Sequence, residues 1–334
     1  MKQARNLFEK ICSFDNLMKA ARKAFQGKKD RPRVAAFYFH LESEILTLQD
    51  ELLSGTYQPR PYRSFWVYEP KRRHICAADF RDRVVHHAIC NLLEPEFERS
   101  FVKDSYACRK HKGSHIAVRR VKSFCRKRRY FLKTDISKYY DSVDHALLKK
   151  RLALKIKDPK LLTLINIIID HPLPDQIPGK GLPIGNLTSQ WWANFYLDAL
   201  DHYIKDDLGV KCYARYMDDV VILADTKPEL HLLCAAIRDF LDRKLLLKLK
   251  DKGTFVAPVW QGLPFLGFRI YPNLTRLKRE KVIRFRRQYR QKENAYLSGK
   301  IGEDEFVRSV TSMIGHMKHA NTLRMRQKFF WGEG

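Results

Sequence analysis

Two acidic residues interrupt an otherwise apolar, strand-like segment, and they constrain the fold more than any other feature. The segment Tyr213–Ala224 (YARYMDDVVILA) places Asp218 and Asp219 between two apolar runs. Charged residues are rare in buried strands unless they are paired or bound to a metal. A hairpin turn between the runs would project both carboxylates from the end of a sheet. An ordinary Asp-rich turn is the alternative for this segment taken alone.

A second apolar strand also ends in an acid. Phe131–Thr134 is followed by Asp135, and Ile136–Asp141 forms a tight exit. Two Asp-tipped strands in a basic protein are suited to a phosphoryl-transfer site with two Mg²⁺ ions, for which Mn²⁺ is a candidate substitute. Such ions need carboxylates from different elements of a rigid sheet. We therefore expect Asp135, Asp218 and Asp219 to be catalytic.

The charge balance indicates a polyanionic partner. The 334 residues include 64 Lys and Arg against 37 Asp and Glu, a formal net charge of +27. Nucleic acid is the most common partner of so basic a protein. Much of the excess lies in two segments, 101–133 and 276–300, which are expected to form two walls of a nucleic-acid channel.

Other classes of protein are disfavoured. The longest apolar run, Leu161–Ile169, is far shorter than a membrane span, and the N-terminus lacks the apolar core of a signal peptide. The 7 cysteines show no Cys-x-x-Cys spacing, so neither a disulfide framework nor a zinc knuckle is predicted. The sequence predicts a soluble cytoplasmic protein.

Hydrophobic periodicity gives interleaved helices and strands, which predicts an α+β or α/β class. Helices are expected over 5–25, 34–53, 82–94, 144–156, 159–170, 186–206 and 228–246. Strands are expected over 64–68, 130–135, within 213–224, near 247–250 and around 264–270.

The motifs, taken in order, resemble those of reverse transcriptases, and especially the enzymes of group II introns and related prokaryotic elements. Asp135 with Tyr140, then Tyr216–Asp219 (YMDD), matches the catalytic core. Further matching segments are Lys71–Ile75, Phe80–Val85, Ser105–Arg109 with Lys112–Gly113, Gly181–Gln190, and Phe265–Phe268.

The resemblance implies an α+β right-hand polymerase fold with fingers, an antiparallel palm sheet with helices, and a short helical thumb. It implies a helical N-terminal extension over 1–60, fingers over 61–130, a palm with fingers insertions over 131–270, and a thumb over 271–334. Arg residues at 284, 286, 287 and 290 suit a thumb helix that grips RNA or a hybrid.

The segment Gly181–Gln190 corresponds to the motif of the template and nucleotide pocket, here called the pocket motif. It departs from the usual Gln-Gly-x-x-x-Ser-Pro. Ile184 stands in place of the Gln and Gln190 in place of the Pro. This variant is typical of reverse transcriptases of diversity-generating retroelements, which copy a template RNA with errors at adenines. Antiphage-defence and other standalone reverse transcriptases share parts of the motif and are the first alternative. A non-catalytic RNA-binding or splicing-assisting protein is the second.

The resemblance also implies roles for single residues. Asp135, Asp218, Asp219 and the Ile136 carbonyl would bind metal, and Tyr140 would be the steric gate against ribonucleotides. The dNTP would contact Lys71, Arg73, Ile184, Gly185 and Gln190, with Arg72 able to exchange roles with its neighbours. Lys252 would be the general acid, with Lys248 and Lys250 equally plausible, and Phe265, Leu266 and Gly267 would form the primer grip. The implied partners are template RNA, a DNA or RNA primer, the cDNA hybrid, dNTPs and a small basic oligomeric accessory protein.

Overall fold

The computed structural model describes residues 6–28, 31–68, 72–174 and 177–331. Its α-helices are α1 Leu7–Cys12, α2 Phe14–Phe25, α3 Pro32–Phe39, α4 Leu41–Ser54, α5 Phe80–Glu98, α6 Ser114–Cys125, α7 Tyr139–Ser142, α8 His145–Lys155, α9 Pro159–Asp170, α10 Leu187–His202, α11 Lys227–Leu245, α12 Arg279–Leu297, α13 Glu303–Met317 and α14 Leu323–Trp331. Its strands are β1 Arg63–Val67, β2 Arg73–Ala77, β3 Tyr130–Thr134, β4 Tyr213–Tyr216, β5 Asp219–Ala224, β6 Phe255–Pro258, β7 Leu263–Phe265, β8 Phe268–Ile270 and β9 Thr275–Leu277.

Three antiparallel sheets form from these strands. The largest sheet has four strands in the order β4-β5-β3-β6. The two smaller sheets are β1-β2 and β7-β8-β9. In the four-stranded sheet, β3 and β5 are the inner strands and are rich in Val, Ile, Leu and Phe, as expected for strands with two neighbours. The expected antiparallel sheet with helices is confirmed.

The chain divides into two compact units, each made of separate segments. The first comprises Met1–Lys103, Ile136–Tyr203 and Ile237–Leu249, and the second comprises Asp104–Asp135, Ile204–Ala236 and Lys250–Gly334. In the first unit, α5 packs on α2 and α10, and an aromatic cluster of Phe97, Phe101, Trp191 and Phe195 lies among them.

In the second unit, the core joins the two larger sheets to α6. Phe131, Val221 and Leu223 of the four-stranded sheet share one buried cluster with Phe265 and Phe268 of β7 and β8 and with the apolar face of α6. This packing fixes the sheet that carries the two Asp-tipped strands. The expected boundaries of extension, fingers, palm and thumb stay a prediction.

Several sequence-predicted elements differ from those observed. The helix expected over 5–25 is two helices, because Ser13 is extended and its hydroxyl caps α2 by accepting from the Asn16 amide. The segment expected as a helix over 34–53 also divides, at His40. The strand expected around 264–270 is a hairpin, and the helix expected to reach 206 changes to a π-helix at Tyr203. Within the described residues, no helix has the length and apolar character to cross a bilayer.

Candidate active site

The acid pair lies at the hairpin between β4 and β5. Tyr216 pairs with Asp219 across the hairpin, so Met217 and Asp218 form a two-residue turn. Met217 is left-handed, with a φ of 55°. This conformation costs a non-glycine residue about 1–2 kcal/mol, so surrounding contacts must hold it.

The register of β3 and β5 brings the third acid to the same end of the sheet. Thr134 pairs with Val220 in antiparallel fashion, so the end of β3 meets the start of β5. Asp135 follows β3 directly, while Asp218 and Asp219 stand at the start of β5. The two Asp-tipped strands predicted from the sequence therefore meet.

Asp135 and Asp218 interact as a carboxyl pair. Burial, followed by the negative charge of Asp135, raises the pKa of Asp218 to about 7. A side-chain hydrogen bond between the two residues also favours a proton on Asp218. A proton on Asp218, next to the Asp135 side chain, can be exchanged for a cation.

Asp219 has a cationic partner on the neighbouring strand. The Nζ atom of Lys133 donates to Oδ1 of Asp219 at 2.7 Å, and the two side chains are 15% and 23% exposed. Burial raises the pKa of Asp219, whereas Lys133 opposes the rise. The carboxylate of Asp219 is thus neutralised by the protein itself.

The carboxylates at this end of the sheet suit a cation that takes only some of its coordinating oxygens from the protein. Among the described residues, no three His, Cys, Asp or Glu side chains form a ready metal-binding group. Mg²⁺ is commonly bound by one or two carboxylates together with water and substrate phosphates. Asp135 and Asp218 fit that pattern.

The segment that leads into β6 packs against Asp135. The Lys250 amide donates to the Asp135 carbonyl at 2.8 Å, and the hydroxyls of Thr134 and Thr254 lie 2.8 Å apart. Lys252 is exposed in the short 3₁₀ turn Asp251–Gly253 between these anchors. The predicted general acid therefore belongs to a segment that is fixed beside Asp135.

A buried arginine, which the sequence did not predict, supports the hairpin between β4 and β5. Arg215 in β4 is fully buried. Its guanidinium donates to the Met217 carbonyl at 3.1 Å and to the Ser105 hydroxyl at 3.2 Å. The Arg215 carbonyl also accepts from the Tyr106 amide at 3.0 Å. The Ser105–Arg109 motif is therefore a support for the left-handed turn.

The predicted primer-grip residues Phe265, Leu266 and Gly267 lie at the end of β7 and in the β7–β8 turn. Phe265 and Phe268 are fully buried, and the turn residues Leu266 and Gly267 have φ values of 49° and 84°. Two residues with positive φ suit a tight hairpin, since this backbone follows the twist of the strands. Lys281 of α12 lies over the turn, with its Nζ atom 3.5 Å from the Leu266 carbonyl.

In the first unit, the pocket motif is bonded to β2. The Ile184 carbonyl accepts from the Cys76 amide at 3.0 Å, and Asn186 Oδ1 accepts from the Ala78 amide at 3.2 Å. Gly185 has a φ of 125°, and a Cβ atom there would lie 3.0 Å from Ile75. The backbone is therefore fixed, while the half-buried Ile184 side chain can be substituted.

The remaining predicted residues of this unit are placed as follows. Arg73 begins β2 and is exposed, Gln190 lies in the first turn of α10, and Lys71 falls outside the described residues. The guanidinium of Arg72 lies 4.0 Å from the ring centroid of Trp66. Ile136 is buried.

Tyr140 stands in α7, shortly after β3. Its side chain is half-buried. Its ring packs edge to face with the ring of the buried Tyr139, with 5.8 Å between the ring centroids. Its carbonyl accepts from the Leu182 amide at 2.7 Å, which ties it to the start of the pocket motif.

The sheet, its paired carboxyls and the ordered motifs define a polymerase palm, and the comparison with known families agrees. The family described as reverse transcriptase (RNA-dependent DNA polymerase) matches residues 69–270. The chain belongs to this family, whose enzyme class is RNA-directed DNA polymerase. Its mixed helix-and-sheet architecture is that of a right-hand polymerase.

Relatives and solved structures agree with this family. The chain is 30% identical over 288 residues to Protein YkfC of Escherichia coli K12, covering 73% of this chain and 75% of YkfC. It is 29% identical over 170 residues to the group II intron-encoded protein LtrA of Lactococcus lactis, covering 49% of this chain and 28% of LtrA.

A solved telomerase structure from Candida albicans, in complex with a fragment of telomeric RNA, matches with a TM-score of 0.50. The identity is 9%, and the match covers 72% of this chain and 52% of the telomerase chain. At that identity the likeness supports the fold alone.

Proposed function

We propose that the chain is the reverse transcriptase of a diversity-generating retroelement, which copies a template RNA into cDNA with errors at template adenines. Catalysis rests on the Asp135–Asp218 pair at the end of the four-stranded sheet, because a buried carboxyl pair with a shared proton can exchange that proton for a divalent cation. Family membership supports the polymerase activity, and the Ile184 and Gln190 variant supports the subgroup.

Individual residues have distinct roles in this proposal. Asp135 and Asp218 hold the divalent cations, with Asp219 beside them and the Ile136 carbonyl as a backbone ligand. The cations, when bound, activate the primer 3′-hydroxyl and stabilise the leaving pyrophosphate. Lys71, Arg73, Gly185 and Gln190 bind the incoming dNTP, and Lys252 donates the proton to pyrophosphate.

Two further assignments concern selection and product handling. The Tyr140 ring excludes a 2′-hydroxyl, so the enzyme uses dNTPs rather than NTPs. Phe265, Leu266 and Gly267 hold the primer at the tight turn between β7 and β8. A small basic oligomeric protein would act with the enzyme on the template RNA.

The error-prone character is assigned to Ile184. A branched apolar side chain cannot make the hydrogen bonds that a Gln makes to nucleotide and template, so the geometric check on the base pair is weaker. The Ile184 backbone bond to Cys76 does not involve its side chain, so a substitution changes the pocket surface without removing that bond.

The test compares Ile184→Gln with Ile184→Leu by sequencing cDNA made on one RNA template. Ile184→Gln should lower misincorporation at template adenines, while Ile184→Leu keeps the parental error spectrum. Equal error rates in the two variants would contradict the assignment. Each variant should be assayed both with and without the accessory protein.

A splicing-assisting RNA-binding role is the second candidate, because several similar proteins are intron-encoded or intron maturases. The two candidates differ in their need for Asp218. Primer extension by Asp218→Asn should fall at least 10³-fold if the chain is a polymerase, on the scale of lost catalytic groups. Retained intron-RNA binding and splicing assistance with this variant, and no polymerase activity in the parent, would favour the second role.

A further inference from the structure

A run of four basic residues lies at the end of the sheet opposite the carboxyl pair. Arg126, Lys127, Arg128 and Arg129 connect α6 to β3, while Asp135 follows the other end of β3. At about 3.3 Å per residue, the five-residue strand separates the run from Asp135 by roughly 17 Å. These charges therefore do not line the catalytic end of the sheet.

Two other segments of the same unit adjoin the run. The Arg129 carbonyl accepts from the Val259 amide at 2.8 Å, and Arg126 Nε donates to the Pro272 carbonyl at 2.9 Å. The first bond anchors the turn after β6, and the second anchors the β8–β9 turn. The run thus forms one surface with both segments.

This surface contains a depression with a strong positive balance. Arg126, Lys127, Arg128, Arg129 and Asp225 line a volume of about 490 Å³. Asp225 forms an ion pair with Arg128. Four cations against one carboxylate fit an anion with several charges, such as a phosphodiester backbone.

An exposed aromatic residue follows the segment that is bonded to Arg129. Trp260 directly follows Val259 and is 73% exposed. An exposed Trp makes no contribution to the core, whereas it offers a π-face on which a nucleic-acid base can stack. Stacking requires bases that are not enclosed in a duplex.

A cross-strand arginine pair extends the surface. Arg269 of β8 pairs directly with Arg276 of β9, and both are exposed. Like charges opposite each other on a sheet destabilise it, and a bound polyanion would relieve the repulsion. The Arg276 guanidinium also lies 5.9 Å from the ring centroid of Tyr271, close to the anchored turn.

We propose that Arg126–Arg129, Trp260 and the Arg269–Arg276 pair form a second nucleic-acid site, which binds a single strand away from the carboxyl pair. Phosphates contact the arginines and Lys127, and one base stacks on Trp260. A nucleic-acid strand engages the whole surface, because its closely spaced phosphates match the cations and its bases match the indole face. The site is independent of which element supplies the template.

Binding of a fluorescent twelve-nucleotide strand tests the site, measured by anisotropy with saturating unlabelled primer–template hybrid present. Oligo-U RNA and oligo-T DNA are tested separately. The ratio of their affinities identifies the template RNA or the cDNA as the natural strand. Trp260→Ala should weaken binding of the better strand roughly 5- to 150-fold, and Trp260→Phe should retain it.

Charge variants give an independent readout. Lys127→Gln with Arg129→Gln should lower the slope of log affinity against log salt by about 1.4, since each phosphate contact on a single strand contributes about 0.7. Lys157→Gln with Lys160→Gln, two exposed charges on another surface segment, should leave the slope unchanged. Primer extension on a short template should remain parental in all variants, which excludes misfolding.

Parental affinity of the Trp260→Ala and Lys127/Arg129 variants for both strands would overturn the proposal. Binding of fluorescent polyglutamate that is lost in the Lys127/Arg129 variant, with no binding of either strand, would overturn it in favour of an acidic protein partner.

Discussion

The carboxyl pair makes metal affinity depend on pH in a defined direction. The pKa of Asp218 is about 7, so below that pH a divalent cation must displace a proton. With one group of pKa 7, about 9% of Asp218 is ionised at pH 6 and about 91% at pH 8. The apparent affinity for Mg²⁺ should therefore rise about tenfold from pH 6 to pH 8, or about 1.4 kcal/mol.

Isothermal titration calorimetry with Mg²⁺ in two buffers of different ionisation enthalpy measures both quantities. About 0.9 proton should be released per binding event at pH 6 and about 0.1 at pH 8, following the same ionised fractions. Asp225→Asn removes an equal charge at the opposite end of β5 and should preserve the pH dependence. An affinity that changes less than twofold, or binding without proton release, would refute the pairing of Asp135 with Asp218.

Four substitutions test other parts of the structure. Tyr140→Ala should admit ribonucleotides, raising kcat/KM for NTPs relative to dNTPs in single-nucleotide extension; an unchanged ratio would exclude a gate at this ring. Arg215→Met should cost about 2–4 kcal/mol in unfolding free energy, since it leaves buried acceptors without their donor, and urea unfolding measures the loss. Gly262→Ala should destabilise by about 1–3 kcal/mol, because its φ is 82° and a Cβ atom would lie 2.5 Å from Tyr271. Gly315→Ala, at an open position in the last turn of α13, should instead stabilise by about 0.5–1 kcal/mol in the same urea unfolding experiment.

The acidic strand ends could be predicted because they are local features. An apolar run interrupted by Asp218 and Asp219 has few structural solutions, and the hairpin is one of them. The ion pair of Lys133 with Asp219 could not be predicted, because it depends on the register between β3 and β5. Sequence spacing alone does not fix which side chains face each other across strands.

Arg215 and the 126–129 run show the same limit. A charge within the apolar segment that precedes Tyr216 was a visible signal of a buried support, although its partners lie about 110 residues earlier in the chain. Composition predicts a channel wall for the segment 101–133, and this stays a prediction. Strand direction adds that the 126–129 run lies at the end of β3 opposite Asp135, because composition carries no information about direction.

The central position of β3 has a consequence for synthesis on the ribosome. This strand is made early, but its two neighbours are β5 and β6, which end at residues 224 and 258. Until those residues emerge, β3 has two open edges and an apolar face, the features of an aggregation-prone nascent chain. Translation pauses before residue 258 should therefore increase dependence on chaperones. Slow formation of such non-local contacts would delay appearance of the active enzyme after synthesis.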